Sequence, residues 1–312
     1  MKSECVCVIG GTNVDITATP YSGLINGDSV PGKSNMFFGG VGRNIAENLV
    51  RLGLNVNLIT AIGDDVNSIN LQNDCKLKNI SMTGSLQLKN TDMSTYICIN
   101  DNFGEMQYAV SSMDIYNYIT PEYISNYMDF INSASVCIID TNIPQETISY
   151  IIKNCKVPLF VDTVSVNKAK KIKNSLSNIY TLKPNLLEAE LLTGIKIRSH
   201  EDLKRCANEL LNKGIKNVYI SMGKDGIFCT DGKIYELIPC FNVKVVNTTG
   251  AGDSFLSALV YSYIKNFDIV SAAKLGLAAS SLCISSNMPV SDQLSYETLR
   301  KLLENQEANY EY

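Results

Sequence analysis

Val245-Val246-Asn247-Thr248-Thr249-Gly250-Ala251-Gly252-Asp253-Ser254-Phe255 carries a β-branched run into small residues and then into an amphipathic one. Val243, Val245 and Val246 predict a strand. Phe255, Leu256, Leu259, Val260, Tyr263 and Ile264 repeat with helical spacing, so a helix is expected to begin between Gly250 and Asp253. The first amides of a helix have no intrahelical acceptor and sit at the positive end of its dipole, which makes them an anion site. Gly250 and Gly252 have no Cβ to hold a phosphate away from that backbone. Asp253 then stands where a general base would stand if a hydroxyl attacked a phosphoryl group. The alternative is a carboxylate that only complements the helix dipole.

The chain around this stretch has 312 residues, enough for one large α/β domain, and it is expected to form a single domain over 1–312. With 45% hydrophobic and 19% charged residues it can bury a substantial core. A net charge of -4 and a pI near 5.2 argue against a protein that lives on nucleic-acid phosphates. No apolar run reaches membrane-spanning length, and Met1-Lys2-Ser3-Glu4 leads directly toward a strand, so neither a membrane partner nor a signal peptide is expected. The ten cysteines are scattered, with Cys5 and Cys7 as the one close pair and no Cys-x-x-Cys. That pattern predicts reduced core thiols and a cytoplasmic protein. His200 is the only histidine, which excludes His-based triads and multi-histidine metal sites.

Far upstream, Gly39-Gly40-Val41-Gly42-Arg43-Asn44 opens a second amphipathic helix, with Val41, Ile45, Leu49 and Leu52 on one face and Gly53 as its stop. Taken with Thr248-Thr249-Gly250-Ala251-Gly252-Asp253, it resembles the two signatures of the ribokinase-like (phosphofructokinase-B type) sugar and nucleoside kinases, and the likeness runs over nearly the whole chain. The resemblance implies a three-layer αβα core around a mostly parallel sheet, with a small β-sheet lid. It implies ATP and Mg²⁺ as cofactors, a small sugar or nucleoside as acceptor, and a homodimer formed through the lid.

Cys5 to Ile9 reads as a buried parallel strand ending at Gly10-Gly11, with Asn13 and Asp15 beyond its C-terminal end. An Asx turn would explain those two residues; the resemblance instead gives them the sugar hydroxyls, shared with Gly40 and Asn44. Arg43 could face substrate or pair with an acid. Gly27-Asp28-Ser29-Val30-Pro31-Gly32-Lys33-Ser34 matches the P-loop pattern letter for letter. A P-loop must follow a buried strand and open a helix, whereas this stretch follows a turn and runs straight into Gly39-Gly40. The alternation from Val30 to Phe38 predicts a hairpin arm. Ser85 to Leu88, Ser94 to Ile99 and Met106 to Val110 alternate as well, so the lid is placed at about 12–38 and 83–111. The strand from Asn57 to Ile62 ends at Gly63-Asp64-Asp65, and the helix after it is expected to be shorter and more polar than is usual in the resembling family, the region trimmed.

Beyond Pro121 helices and strands alternate. Val136 to Asp140 and Leu159 to Asp162 are buried strands whose polar C-terminal ends point toward one crevice, and Ile179 to Leu182 and Val218 to Met222 are further strands. Lys168 is placed to neutralise a phosphate or bond a base carbonyl, or it is an ordinary surface lysine. Asn185 and Glu188, one helical turn apart, can address a phosphate-bound Mg²⁺ and can also form a capping box. Ile227 to Thr230 and Lys233 to Leu237 are further strands, and Ser271 to Ser285 is a helix. By resemblance, nucleotide contacts fall on Asn185, Ser221, Gly223, Gly226, Thr248 and Asn287.

The implied chemistry is ATP-dependent phosphorylation of a primary hydroxyl. Asp253 takes the proton, the amides around Gly250, Ala251 and Gly252 hold the transferring phosphoryl, and Glu188 reaches Mg²⁺ through water. The family run usually begins with an Asp that helps bind a monovalent cation; Asn247 stands there instead, which puts K⁺ activation in question. Asn247, the first signature and the stretch from Asp162 to Lys168 together look like the bacterial pseudouridine kinases of this family, which implies transfer to the 5′-hydroxyl of pseudouridine. Lid side chains near Ser29, Lys33, Thr95 and Tyr96 would read the base. Ribose, adenosine, inosine and fructose are the alternative acceptors, and a non-catalytic nucleoside sensor is the alternative outside catalysis.

Overall fold

The first strand sets the layers. In β1 (Cys5–Ile9), Val6 and Val8 enter one hydrophobic core while Cys7 and Ile9 enter another, because successive strand residues point to opposite faces. The computed structural model describes residues 5–310. β2 (Asn13–Pro20) and β3 (Gly32–Gly39) form a hairpin arm that returns into α1 (Val41–Arg51). Then come β4 (Asn55–Ile59), β5 (Ala61–Ile62), α2 (Val66–Leu77), β6 (Ile80–Ser81), β7 (Leu86–Gln87) and a second hairpin, β8 (Thr95–Asn100) with β9 (Met106–Ser112).

From there α3 (Pro121–Ser125) and α4 (Met128–Ser133) lead into β10 (Val136–Asp140), α5 (Gln145–Asn154), β11 (Leu159–Asp162), α6 (Val166–Ala169) and β12 (Thr181–Lys183). The chain continues through α7 (Leu186–Thr193), α8 (His200–Asn212), β13 (Asn217–Ser221), β14 (Ile227–Thr230) and β15 (Tyr235–Ile238). It closes with α9 (Ala251–Ile264), α10 (Ile269–Ile284) and α11 (Tyr296–Tyr310).

Nine strands form one sheet in the order β15-β14-β13-β12-β11-β10-β1-β4-β6, parallel from β6 to β13 and antiparallel at β14 and β15. Helices α1, α9 and α10 pack on the face of Val6 and Val8, and α5, α7 and α8 on the other, which gives the three αβα layers. β1 pairs with β4 on one side and β10 on the other, so the connection order reverses there. In open α/β sheets a crevice opens at the strand C-termini at such a point. A separate four-stranded sheet, β3-β2-β8-β9, stands beside that crevice. Its register aligns Asp15 with Phe37 and Tyr96, and Ile16 with Met36 and Ile97.

Two expectations fail. Val243 to Val246 is not a strand: the amides of Val246 and Asn247 bond to the Ile284 carbonyl at the end of α10, and Val245 and Val246 are exposed. The segment from Ser85 to Leu88 does not join the lid, because β7 pairs with β5 in a two-stranded sheet of its own. The helix after Asp65 is polar as expected: Asp65 caps Ser68 and α2 runs 12 residues. Gly27 to Ser34 is the turn and start of the hairpin arm, with no helix.

Candidate active site

Both glycine runs end at helix starts, and those helices pack together. Gly250 is the N-cap of α9 in the left-handed conformation (φ 84°), and a Cβ there would lie 2.0 Å from the Pro289 carbonyl oxygen. Only glycine fits both demands. The amides of Gly252 and Asp253, in the first turn of α9, have no acceptor among the described residues. Asn44, on α1, donates its side-chain amide to Oδ2 of Asp253 at 2.9 Å. Its own Oδ1 is buried without a partner among the described residues.

Asp253 is 7% exposed, and burial raises its carboxyl pKa from the usual carboxylate value to about 7. The charges of Asp162 and Asp140 push the same way; the Asn44 bond and Lys183 oppose them. Such a carboxylate is poised to accept a proton near neutrality. Asp15 is raised to about 6, mainly by burial, with Asn13 donating to its Oδ1.

Two cavities meet here. One of about 440 Å³ is lined by Asn13, Asp15, Gly40, Asn44, Tyr96, Asn142, Lys168 and Asp253 among others. The second, about 760 Å³, runs past Gly223, Gly226, Phe241, Val243, Thr248, Ala251 and Phe255 to α10. Lys183, Asn185, Ser221 and Gly252 line both. The smaller cavity is rich in carboxylate, amide and hydroxyl groups, while the larger has aromatic and aliphatic walls.

The structure thus brings Asn13, Asp15, Gly40, Asn44, Lys168 and Asp253 together in the first cavity, and Gly223, Gly226, Thr248 and Ala251 in the second. Gly250 lines the first, and Asn185 and Ser221 lie at the junction. Asn287 is exposed and lines neither; its carbonyl accepts from Asn247. Lys168 is no surface lysine: its Nζ donates to Asn142 Oδ1 and approaches Met113 Sδ at 3.7 Å, and burial lowers its pKa. Arg43 faces acids, with Asp74 at 2.6 Å and Glu47 at 2.9 Å, and is absent from both cavities. Of the four lid positions named for base reading, only Tyr96 reaches the cavity; Ser29 and Lys33 sit on the exposed hairpin.

Asn185 and Glu188 do form the capping box, each side chain bonding the other's amide. Glu188 Oε2 also accepts from Thr163 Oγ1 at 2.6 Å, and Oε1 takes part in neither bond. Sequence reasoning assigned no role to Lys183 or Asp162, both buried. Lys183 Nζ is 3.7 Å from Asp162 Oδ2, an oxygen with no hydrogen-bond partner among the described residues. The Lys-Pro-Asn run was visible, but nothing in it says which way the ammonium points.

The model of the pfkB family carbohydrate kinases matches residues 3–293. The chain belongs to the pfkB family. It is an ATP-dependent phosphotransferase of the sugar and nucleoside kinase kind. The pseudouridine kinase of Escherichia coli (strain K12) is 34% identical over 98% of this chain and 98% of its own length. The solved structure of a carbohydrate kinase from Agrobacterium tumefaciens superposes with a TM-score of 0.85 at 26% identity, covering 96% of this chain and 97% of that one. A ribokinase of Arabidopsis thaliana solved with ribose and ATP gives 0.84 at 20% identity, covering 97% and 99%, and shares the fold. No helix among the described residues is long and apolar enough to cross a membrane.

Proposed function

We propose that this pfkB-family kinase moves the terminal phosphoryl of ATP to the 5′-hydroxyl of a nucleoside, and that the nucleoside is pseudouridine. The observation that carries the transfer is the placement of Asp253: buried, raised toward neutrality, in the smaller cavity, one residue from amides with no acceptor. The acceptor hydroxyl gives its proton to Asp253 as its oxygen bonds to phosphorus, and the Gly252 and Asp253 amides take the charge growing on the phosphoryl oxygens. The larger, apolar-walled cavity suits the nucleotide base and the smaller polar one the acceptor. Asn13, Asp15 and Asn44 hold its sugar hydroxyls, and Asn142, Lys168 and Tyr96 stand where a base would lie.

The residues present fit a magnesium ion. Glu188 is buried, and Oε1 stays outside its capping bonds. No three His, Cys, Asp or Glu side chains among the described residues form a cage, which suits an ion carried mostly by nucleotide phosphates and water. When bound, Mg²⁺ neutralises phosphate charge. A monovalent-cation site at Asn247 fits poorly: Oδ1 accepts from the Thr249 amide at 2.9 Å, so Nδ2, a donor, faces the Asn287 carbonyl at 3.3 Å.

Pseudouridine rests on the likeness to the E. coli enzyme over nearly the full chain. We place the protein in the cytoplasm, in keeping with ten free thiols, as a single domain over 1–312 and a homodimer whose lids meet through the apolar face of Ile16, Met36, Ile97 and Val110. The test is ADP release with pseudouridine, uridine, adenosine, inosine, ribose and fructose under Mg-ATP. Pseudouridine should be preferred by orders of magnitude, because a site that bonds a base's polar edges leaves them unpaired with plain ribose. Equal turnover of ribose would reject the pseudouridine assignment.

A further inference from the structure

We infer that Lys183 is a catalytic residue that contacts the phosphoryl group in transit, and that Asp162 is the positioning residue that holds it there. The inference rests on the phosphotransfer reading of the site, but not on the acceptor's identity. Four residues line both cavities, and of Lys183, Asn185, Ser221 and Gly252 only Lys183 carries a charge. A phosphoryl group moving from one cavity to the other must pass them.

The ammonium is unspent. Lys183 is 7% exposed, yet no hydrogen bond of its Nζ exists among the described residues, and Asp162 Oδ2 at 3.7 Å is an ion-pair partner beyond hydrogen-bond reach. A lysine carries three N–H donors, and none of these three is taken up by a described protein group. The geometry supplies a use: a Cβ built on Gly252 would lie 3.2 Å from Lys183 Nζ, so the cation stands beside the first turn of α9. The amides of Gly252 and Asp253 and the ammonium can then share the oxygens of one phosphoryl group.

Sheet register makes this location reproducible. Lys183 ends β12 and is aligned with Asp162, the last residue of β11, in the parallel pair, so neighbouring strand ends hold cation and carboxylate side by side. Asp162 is itself anchored through Oδ1, which accepts from the Val164 amide at 2.7 Å. In the step, the bond from the acceptor oxygen to the γ-phosphorus forms, the bond from that phosphorus to the β–γ bridging oxygen breaks, and the proton goes to Asp253. Lys183 exchanges no proton; it holds charge.

The test uses the full-length protein with whichever sugar or nucleoside the wild type phosphorylates. Lys183→Met should lower kcat on the order of 10²–10³-fold while KM for the acceptor moves by less than about threefold. Affinity for ADP with aluminium fluoride and acceptor, a mimic of the phosphoryl in flight, should fall by a similar factor, and affinity for ADP alone by far less. Because Lys183→Met also strands a buried carboxylate, the Asp162→Asn/Lys183→Met double variant is compared. It should regain thermal stability without regaining rate. A double variant that recovers rate along with stability would show Lys183 to be a counter-ion only, as would equal losses of ADP and mimic binding, or a kcat within threefold of wild type. A wild type that phosphorylates no acceptor overturns the parent reading and this one together.

Discussion

Asn44 on α1 and Asp253 on α9 are 209 residues apart in sequence and joined by a 2.9 Å hydrogen bond, amide to carboxylate. The bond favours the ionised acid against the burial that disfavours it. Asn44→Ala should raise the proton affinity of Asp253 further, so the acid limb of kcat/KM moves to higher pH and the rate at neutrality falls roughly 10–100-fold. A pH–rate profile checks this; an unmoved acid limb would mean that the bond does not tune the base.

Asp253→Asn should lose about 10²–10⁴ in kcat while still binding ATP. It should also be more stable than the wild type above neutrality. Burial raises the folded-state pKa to about 7, above the ordinary 3.8, so between those values the folded protein holds a proton that the unfolded chain has released. That contribution is complete below the unfolded pKa and lost as pH rises through the folded one. Melting curves should separate the two proteins near pH 8, by a difference on the order of a few kcal/mol, and superpose near pH 4.

Gly250→Ala meets both a left-handed backbone and the Pro289 carbonyl at 2.0 Å. Gly53→Ala meets the positive φ alone, with nothing within 4 Å. The first should lose at least about 3 kcal/mol and nearly all activity, the second about 1 kcal/mol with activity kept. Urea midpoints and kcat measured on both variants decide it, and similar losses for the two would contradict the contact.

Turnover should be the same within about twofold in K⁺, Na⁺ or a large organic cation, because Asn247 presents a donor to the Asn287 carbonyl. Asn247→Asp, which replaces that donor with a carboxylate, should introduce a dependence on the cation. Strong K⁺ activation of the wild type would refute the reading of Asn247.

On the lid, Met36 and Val110 are 63% and 64% exposed, and both share a face with Ile97, 38% exposed. A contiguous apolar face of this kind marks a contact surface. An Ile97→Asp/Val110→Lys variant should sediment as a monomer where the wild type sediments as a dimer. A monomeric wild type would remove the lid from the assembly.

Much of this was legible in the order of residues. Strand ends at Asp140 and Asp162, the helix opened by Gly250 and the capping box of Asn185 and Glu188 follow from local patterning, because alternation, glycine freedom and capping act over a few residues. What failed was partner choice. Val243 to Val246 has the composition of a strand but bonds to the end of α10, and the stretch from Ser85 to Leu88 found β5 rather than the lid. Lys183 beside Asp162, Asn44 on Asp253 and Arg43 turned to Asp74 are likewise products of register and helix packing across long separations. Sequence alone determined most of the elements and the family, since those depend on residue type and short spacing. Tertiary structure decided which charges share a cavity, since a side chain's direction is set by the neighbours that the folded sheet places beside it.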